Sequence, residues 1–184
     1  MTNARRALLA VRHCESSGQA PDAPLTAAGY AQAERLADAL GSQGIARIVS
    51  SPYRRARETA LPLAQRLGIE IEVDERLAER RLSPAPLALA DWRAHVERSF
   101  REPDARVPGG ESGREAVTRG WAALHDALRV DRTLIASHGQ LLSLVLHRID
   151  ARFGFAGWSA MTNPDVFRIE RDGEGALCFE RAWD

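Results

Sequence analysis

Short apolar runs that alternate with longer amphipathic segments are the feature of this sequence that most limits its fold. Each run is too short for a helix and is bounded by turn or polar residues, which favours a buried strand. The predicted strands are Ala7–Val11, Ile45–Val49, Ile69–Val73, Thr133–Ala136, Val166–Ile169 and Ala176–Ala182. Strands that alternate with helices through short connections form parallel sheets covered on both faces. The sequence therefore predicts an α/β fold with three layers, α/β/α, around a mostly parallel central sheet.

Capping signals predict where several helices begin and end. Thr26 is a suitable N-cap for the first helix, and Gly68 closes a second helix in which Pro62 could introduce a kink or a break. Ser112 is followed three residues later by Glu115, the spacing of a capping box. These helices connect the strands on either side of them.

Composition limits the size of the protein and the kinds of partner it suits. A chain of 184 residues fits one domain, which we take to span 1–184, with the region around 76–110 as a cap-like insertion over the carboxyl edge of the sheet. The formal net charge is zero, so no overall field attracts nucleic acid or a membrane surface. We therefore expect neither as a partner, and a homodimer is among the assemblies left open.

Residue usage also excludes several kinds of chemistry. All 25 basic residues are arginines, so a Schiff-base lysine is excluded. Cys14 and Cys178 fit neither a disulfide framework nor a CxxC metal site, and we expect no metal and no cofactor. The first apolar run is too short for a signal peptide, so a cytoplasmic location is expected.

Reactive side chains follow three of the predicted strands at the point where each strand ends. Arg12 and His13 follow the first strand, several arginines lie in Ser50–Ala60 after the second, and His138 follows the fourth. The carboxyl ends of parallel strands share one edge of a sheet, where ligands bind. Two imidazoles with guanidinium groups at that edge favour an anion site, and a phosphoryl group is the best candidate.

These stretches, in this order, resemble the motifs of the histidine phosphatase superfamily, the phosphoglycerate mutase-like group. The matching stretches are Arg12-His13-x-Glu15, Leu25-Thr26-x-x-Gly29-x-x-Gln32-Ala33, Ser50-Ser51-Pro52-x-x-Arg55-Ala56-x-x-Thr59-Ala60, Leu77-x-Glu79, Gly109-Gly110-Glu111-Ser112 and Ser137-His138-Gly139. Each stretch alone is a weak signal, whereas the ordered set is specific.

The resemblance implies a metal-independent phosphatase that hydrolyses a phosphomonoester, carried by a small metabolite or a phosphoprotein. It implies that His13 attacks phosphorus and becomes a transient phosphohistidine. Glu79 would protonate the leaving oxygen and then help water discharge the phosphoenzyme, and His138 would neutralise charge in the transition state. A neutral nucleophilic histidine needs a partner for its other ring nitrogen, for which a backbone carbonyl would serve.

The resemblance also implies which residues bind the phosphoryl group. Arg12 and Arg55 would hold its oxygens together with His138, and Gln19 and Gly139 are assigned to the same set. Gln19 stands where the family has a phosphate-contacting asparagine.

The residues themselves leave alternatives open. Arg54 and Arg57 flank Arg55, and only the motif register favours the central one. Glu75 and, less plausibly, Glu72 compete for the role of the acid. The Arg80-Arg81 pair could be a solvated face, which we favour, or could bind an acidic group of the substrate. Cys14 replaces a glycine that is usual in the family, and nearby cations are expected to make its thiol oxidisable.

Three other functions compete with the phosphatase. A mutase of the phosphoglycerate type would carry a tyrosine-glycine signature after the acid, and Arg80–Leu89 contains neither residue. A cysteine-dependent phosphatase would need an arginine at Ala20. A non-catalytic protein that binds a phosphorylated ligand would not need a proton donor. We therefore favour the phosphatase.

Overall fold

A computed structural model describes residues 7–84 and 91–183 of the chain. The strands are β1 (Ala7–Arg12), β2 (Arg47–Ser50), β3 (Ile71–Val73), β4 (Thr133–Ser137), β5 (Asp165–Arg171) and β6 (Leu177–Arg181). The helices are α1 (Ala27–Leu40), α2 (Arg54–Leu67), α3 (Trp92–Arg101), α4 (Gly113–Ala127), α5 (Gly139–Ile149) and α6 (Phe155–Ser159), with a 3-10 turn at Glu75–Leu77.

The strands form one sheet in the order β3-β2-β4-β1-β5-β6. The pairs β2–β3, β2–β4 and β1–β4 are parallel, whereas β5 pairs antiparallel with both β1 and β6. The predicted mostly parallel α/β sheet is therefore confirmed. Because β2, β4 and β1 are neighbours and run in the same direction, their carboxyl ends lie side by side.

The core is divided between the two faces of the sheet because successive residues of a strand point to opposite sides. Val11 and Ile48 pack on one face with residues of α1 and α2 such as Leu36. On the other face, residues of β1 pack with Leu124 of α4 and Leu141 of α5. The three predicted layers are thus present.

The ends of the elements follow local chemistry. The Thr26 cap and the Ser112–Glu115 capping box both form as predicted. Gly68 ends α2 in the left-handed conformation with φ 65°, and the N–H of Ile69 then bonds to a carbonyl of α2, so β3 begins two residues later than predicted. Pro62 lies inside α2, which continues through it without a break.

The region predicted as an insertion contains the 3-10 turn, α3 and the loop that precedes α4. Residues 85–90, part of the predicted helical stretch there, lie outside the described residues, and the single domain with a cap stays a prediction. Within the part of the chain that the structure describes, no helix has the length and apolar character that a membrane span requires.

Candidate active site

His13 is the first residue beyond β1, and the sheet holds it in place. Its N–H donates to the carbonyl of Ser137, 3.0 Å away, so the ladder between β1 and β4 continues past the end of the strand. Nδ1 lies 2.6 Å from the carbonyl oxygen of Cys14. A carbonyl oxygen only accepts, so Nδ1 carries the proton and Nε2 presents a lone pair. The predicted backbone partner for this imidazole is confirmed.

Burial keeps His13 neutral. The side chain is 7% exposed, and desolvation, followed by the charges of Arg55 and Arg12, lowers its pKa from 6.5 to about 3. An unprotonated Nε2 is therefore available throughout the neutral pH range.

Arg55 lies in the first turn of α2 and is 1% exposed. Its Nε donates to Nε2 of His13 at 3.1 Å, and its Nη1 donates to the carbonyls of Gln19 and Ala20. Burial lowers its pKa. The flanking arginines of the helix are exposed, so only Arg55 of the three faces the imidazole.

Arg12, the last residue of β1, supplies a second guanidinium near His13. Its Nη1 donates to the carbonyl of Met161 at 2.9 Å, whereas its Nε is buried without a hydrogen-bond partner. Burial lowers the pKa of this guanidinium too. A Cβ on Gly139 would lie 3.1 Å from that Nε, so the glycine leaves room for the guanidinium.

His138 follows β4 and is fully buried beside His13. The two ring centroids are 5.1 Å apart with the ring planes at 63°. Nε2 of His138 lies 2.7 Å from Oγ of Ser51, and Nδ1 is buried without a partner. Burial, then the proximity of His13 and the charge of Arg55, lowers the pKa of His138 well below its usual value. The imidazoles thus converge, as predicted from their positions at the carboxyl ends of parallel strands.

The carboxylate of Glu79 lies at the N-terminus of α5, close to His138. It accepts hydrogen bonds from the N–H groups of Gln140, Leu141 and Arg80. Its charge also interacts with both guanidinium groups of the site. The competing carboxylates lie elsewhere, because Glu75 is exposed and Glu72 forms an ion pair with Arg47.

Gln19 lies at the edge of this site. It is exposed, and its backbone carbonyl accepts a hydrogen bond from Arg55. A contact between its side chain and phosphate stays a prediction.

Two expectations about neighbouring residues are wrong. Arg80 is not part of a solvated face, because its side chain is 4% exposed and donates from Nε to the carbonyl of Glu111, although Arg81 is exposed. Cys14 is fully buried, and this burial raises the pKa of its thiol to about 11, outweighing the nearby cations. A protonated, buried thiol is not readily oxidised.

Sequence reasoning missed several supporting residues. The amide of Asn163 donates to the carbonyl of His13 at 2.6 Å, from a segment 150 residues away in the chain. The ring of Tyr53 lies 4.9 Å from the guanidinium of Arg55 and 5.0 Å from the ring of His138. Ser51 belongs to the Ser50-Ser51-Pro52 motif, so its hydroxyl could have indicated a hydrogen bond to another residue of the site. No signal in the sequence linked Asn163 to this site.

The site therefore combines two neutral imidazoles, two guanidinium groups and one carboxylate. Two cations with unsatisfied or exchangeable N–H groups suit a dianion such as a phosphoryl group. Within residues 7–84 and 91–183, no three His, Cys, Asp or Glu side chains are grouped so that they could hold a metal ion.

Comparison with known proteins places this geometry in a family. Residues 8–181 match the family model described as histidine phosphatase superfamily (branch 1). The chain is 33% identical to a probable phosphoglycerate mutase, GpmB, of Salmonella paratyphi B over 87% of this chain and 82% of that protein.

Solved structures share the fold over nearly the whole chain. A mycobacterial glucosyl-3-phosphoglycerate phosphatase in complex with inorganic phosphate is 26% identical, with a TM-score of 0.76 over 97% of this chain and 96% of its own. A mutant phosphoserine phosphatase from Entamoeba histolytica is 17% identical and has a TM-score of 0.78 over 95% of each chain. At this identity the comparison shows a shared fold.

Proposed function

The chain belongs to the histidine phosphatase superfamily, and from this premise we propose that it is a metal-independent phosphomonoester hydrolase that works through a phosphohistidine on His13. The observation that carries the proposal is the state of this imidazole. It is buried and neutral, its Nδ1–H is held by the Cys14 carbonyl, and its Nε2 lone pair faces the Arg55 guanidinium. We propose a small phosphorylated metabolite or a phosphoprotein as the substrate, and the cytoplasm as the place of action.

In the first step, Nε2 of His13 attacks phosphorus as the ester P–O bond breaks. The Arg55 N–H that now lies on this lone pair turns to a phosphoryl oxygen as the substrate enters. Arg12 offers its unpaired Nε, and His138 its unpaired Nδ1, to the remaining oxygens. Phosphoryl transfer depends mainly on such positioning and charge stabilisation.

Glu79 moves the protons in this mechanism. In its protonated form it gives a proton to the leaving oxygen as the alcohol departs, and the resulting carboxylate then takes one from the water that attacks the phosphohistidine, which restores the acid. The P–N bond breaks, inorganic phosphate leaves and His13 returns to its neutral form. The position of Glu79 at the start of α5, two peptide units from His138, supports this role.

A phosphoglycerate mutase is the second candidate, since the Salmonella relative is named as a probable one. The missing tyrosine-glycine pair after Glu79 favours the phosphatase. A mutase would need a bisphosphate primer and would pass the phosphoryl group between hydroxyls, whereas a phosphatase would release inorganic phosphate without a primer.

Turnover of p-nitrophenyl phosphate in the presence of EDTA tests the proposal, followed by a panel of phosphorylated metabolites and phosphopeptides. We expect phosphate release without a primer, and radiolabel on the protein after quenching in alkaline denaturant. The His13→Asn variant should lose both. A wild-type protein that binds phosphate but turns over none of these compounds would instead be a binding protein. Turnover without any trapped label, or label retained in His13→Asn, would contradict the phosphohistidine.

A further inference from the structure

Ser51 and His138 are held side by side by the sheet. Ser51 is the first residue beyond β2, and its N–H donates to the carbonyl of Ala136 in β4 at 2.9 Å. Both side chains are fully buried, and Oγ of Ser51 lies 2.7 Å from Nε2 of His138. No other described side chain hydrogen-bonds to this imidazole.

The positions of the hydrogens follow from what each group can donate. The Ser51 oxygen already accepts a hydrogen bond from the N–H of Tyr53, at 3.2 Å. A hydroxyl has a single hydrogen to donate, and among the described residues Nε2 of His138 is its one acceptor. If Nε2 were the donor instead, the hydroxyl hydrogen would be buried without an acceptor, which is costly.

We propose that Ser51 donates its hydroxyl hydrogen to Nε2 of His138 and so fixes this neutral imidazole as the tautomer that is protonated on Nδ1. Ser51 is then a positioning residue. His13 holds the same tautomer through the Cys14 carbonyl. In His13 this leaves the Nε2 lone pair free to attack, whereas in His138 it leaves Nδ1–H free to donate.

The tautomer matters because burial keeps His138 neutral. A protonated imidazole would donate from both nitrogens, but a neutral one donates from only one. With the proton on Nε2, the lone pair of Nδ1 would face the phosphoryl oxygens and repel them. The inference rests on the proposed function for its catalytic meaning, but the tautomer can be measured in the resting protein.

Nitrogen NMR of protein labelled at its histidines tests the tautomer directly. The His138 signals are assigned by their loss in His138→Asn. We expect Nδ1 to carry the hydrogen and Nε2 to be unprotonated in the wild type at neutral pH. A hydrogen on Nε2 would overturn the proposal. Because this readout requires no turnover, it separates a failure here from a failure of the proposed function.

Variants of Ser51 extend the test to binding of inorganic phosphate. In Ser51→Ala we expect a mixture of both tautomers and phosphate affinity lower by about three- to tenfold, the value of one ordinary hydrogen bond. Ser51→Thr, which keeps the hydroxyl, should restore the wild-type tautomer. Ser143→Ala is the matched control, because this buried hydroxyl donates only to the carbonyl of Gln140. An unchanged tautomer in Ser51→Ala would overturn the proposal.

Discussion

Arg55 donates a hydrogen bond from Nε to Nε2 of His13, 3.1 Å away, while a backbone carbonyl holds the opposite nitrogen of the ring. The guanidinium therefore lies on the lone pair that the proposed attack requires. This contact orients the imidazole in the resting protein. It also places a cation where the phosphoryl group is proposed to arrive. The Arg55 N–H would then exchange one acceptor, the lone pair of His13, for another, a phosphoryl oxygen.

Removing this guanidinium should lower activity strongly. We expect Arg55→Ala to reduce kcat/KM by about 10²- to 10³-fold, as loss of one donor to a developing charge does in other enzymes. Arg57→Ala is the matched control, since Arg57 is exposed on the same helix and should leave kcat/KM unchanged. Steady-state kinetics on p-nitrophenyl phosphate measures both. Equal losses of kcat/KM in the two variants would contradict the proposed role of Arg55 in the site.

The contribution of Glu79 to the rate should depend on the leaving group of the substrate. Glu79→Gln should lower kcat by about 10²- to 10⁴-fold on alkyl phosphates, whose leaving oxygen needs a proton. On aryl phosphates, whose leaving group is stable as an anion, the loss in the phosphorylation step should be much smaller. The same substitution at the exposed Glu75 should change neither rate. A loss of kcat/KM, which reports the phosphorylation step alone, that does not depend on the leaving group would indicate that Glu79 only caps α5.

A substitution at Gly139 tests the position of the Arg12 guanidinium without replacing a charged residue. In Gly139→Ala the new Cβ would lie 3.1 to 3.2 Å from the Arg12 guanidinium and would displace it. We expect kcat/KM to fall by about tenfold to a hundredfold, the effect of a small misplacement in an active site. Gly154→Ala is the control, because nothing lies within 4 Å of its added Cβ. Full activity in Gly139→Ala would contradict this placement.

Burial of neutral His13 should make stability depend on pH. Its pKa is lowered from 6.5 to about 3 on folding, so between these values the unfolded chain binds a proton that the native state does not. The free energy of unfolding therefore falls as the pH drops from 6.5 toward 3, by up to about 1.4 kcal/mol per pH unit for this group.

Urea unfolding at several pH values measures this dependence. In His13→Asn the titrating group is gone, so the loss of stability between about pH 6 and about pH 4 should be smaller than in the wild type. Identical losses in both proteins would mean that His13 is not held neutral by the fold.

Local signals in the sequence were sufficient for much of this architecture. The apolar run that stops at Arg12-His13 predicted a strand with a reactive end, and the Ser112–Glu115 spacing predicted a capped helix. Both depend on side chains a few residues apart, so short-range chemistry decides them. The positions of both histidines just beyond parallel strands added the expectation that the two imidazoles meet, which the 5.1 Å separation confirms.

Other features depend on contacts between distant segments. The sequence could not distinguish Arg55 from its neighbours on helical grounds, because the choice depends on which face of α2 is buried in the fold. It gave the wrong environment for Arg80 and Cys14, since burial depends on what packs over a side chain. The support that Asn163 gives to His13 spans 150 residues.

The sequence by itself determined the strands, the caps and the types of reactive residue at the carboxyl edge of the sheet, because these follow from periodicity and from chemistry within a few residues. The tertiary structure alone decided which nitrogen of each imidazole is free and which cations are desolvated. Those properties arise from partners that the chain brings together only when the sheet forms: the Ser51 hydroxyl against His138 and the Arg55 guanidinium against His13.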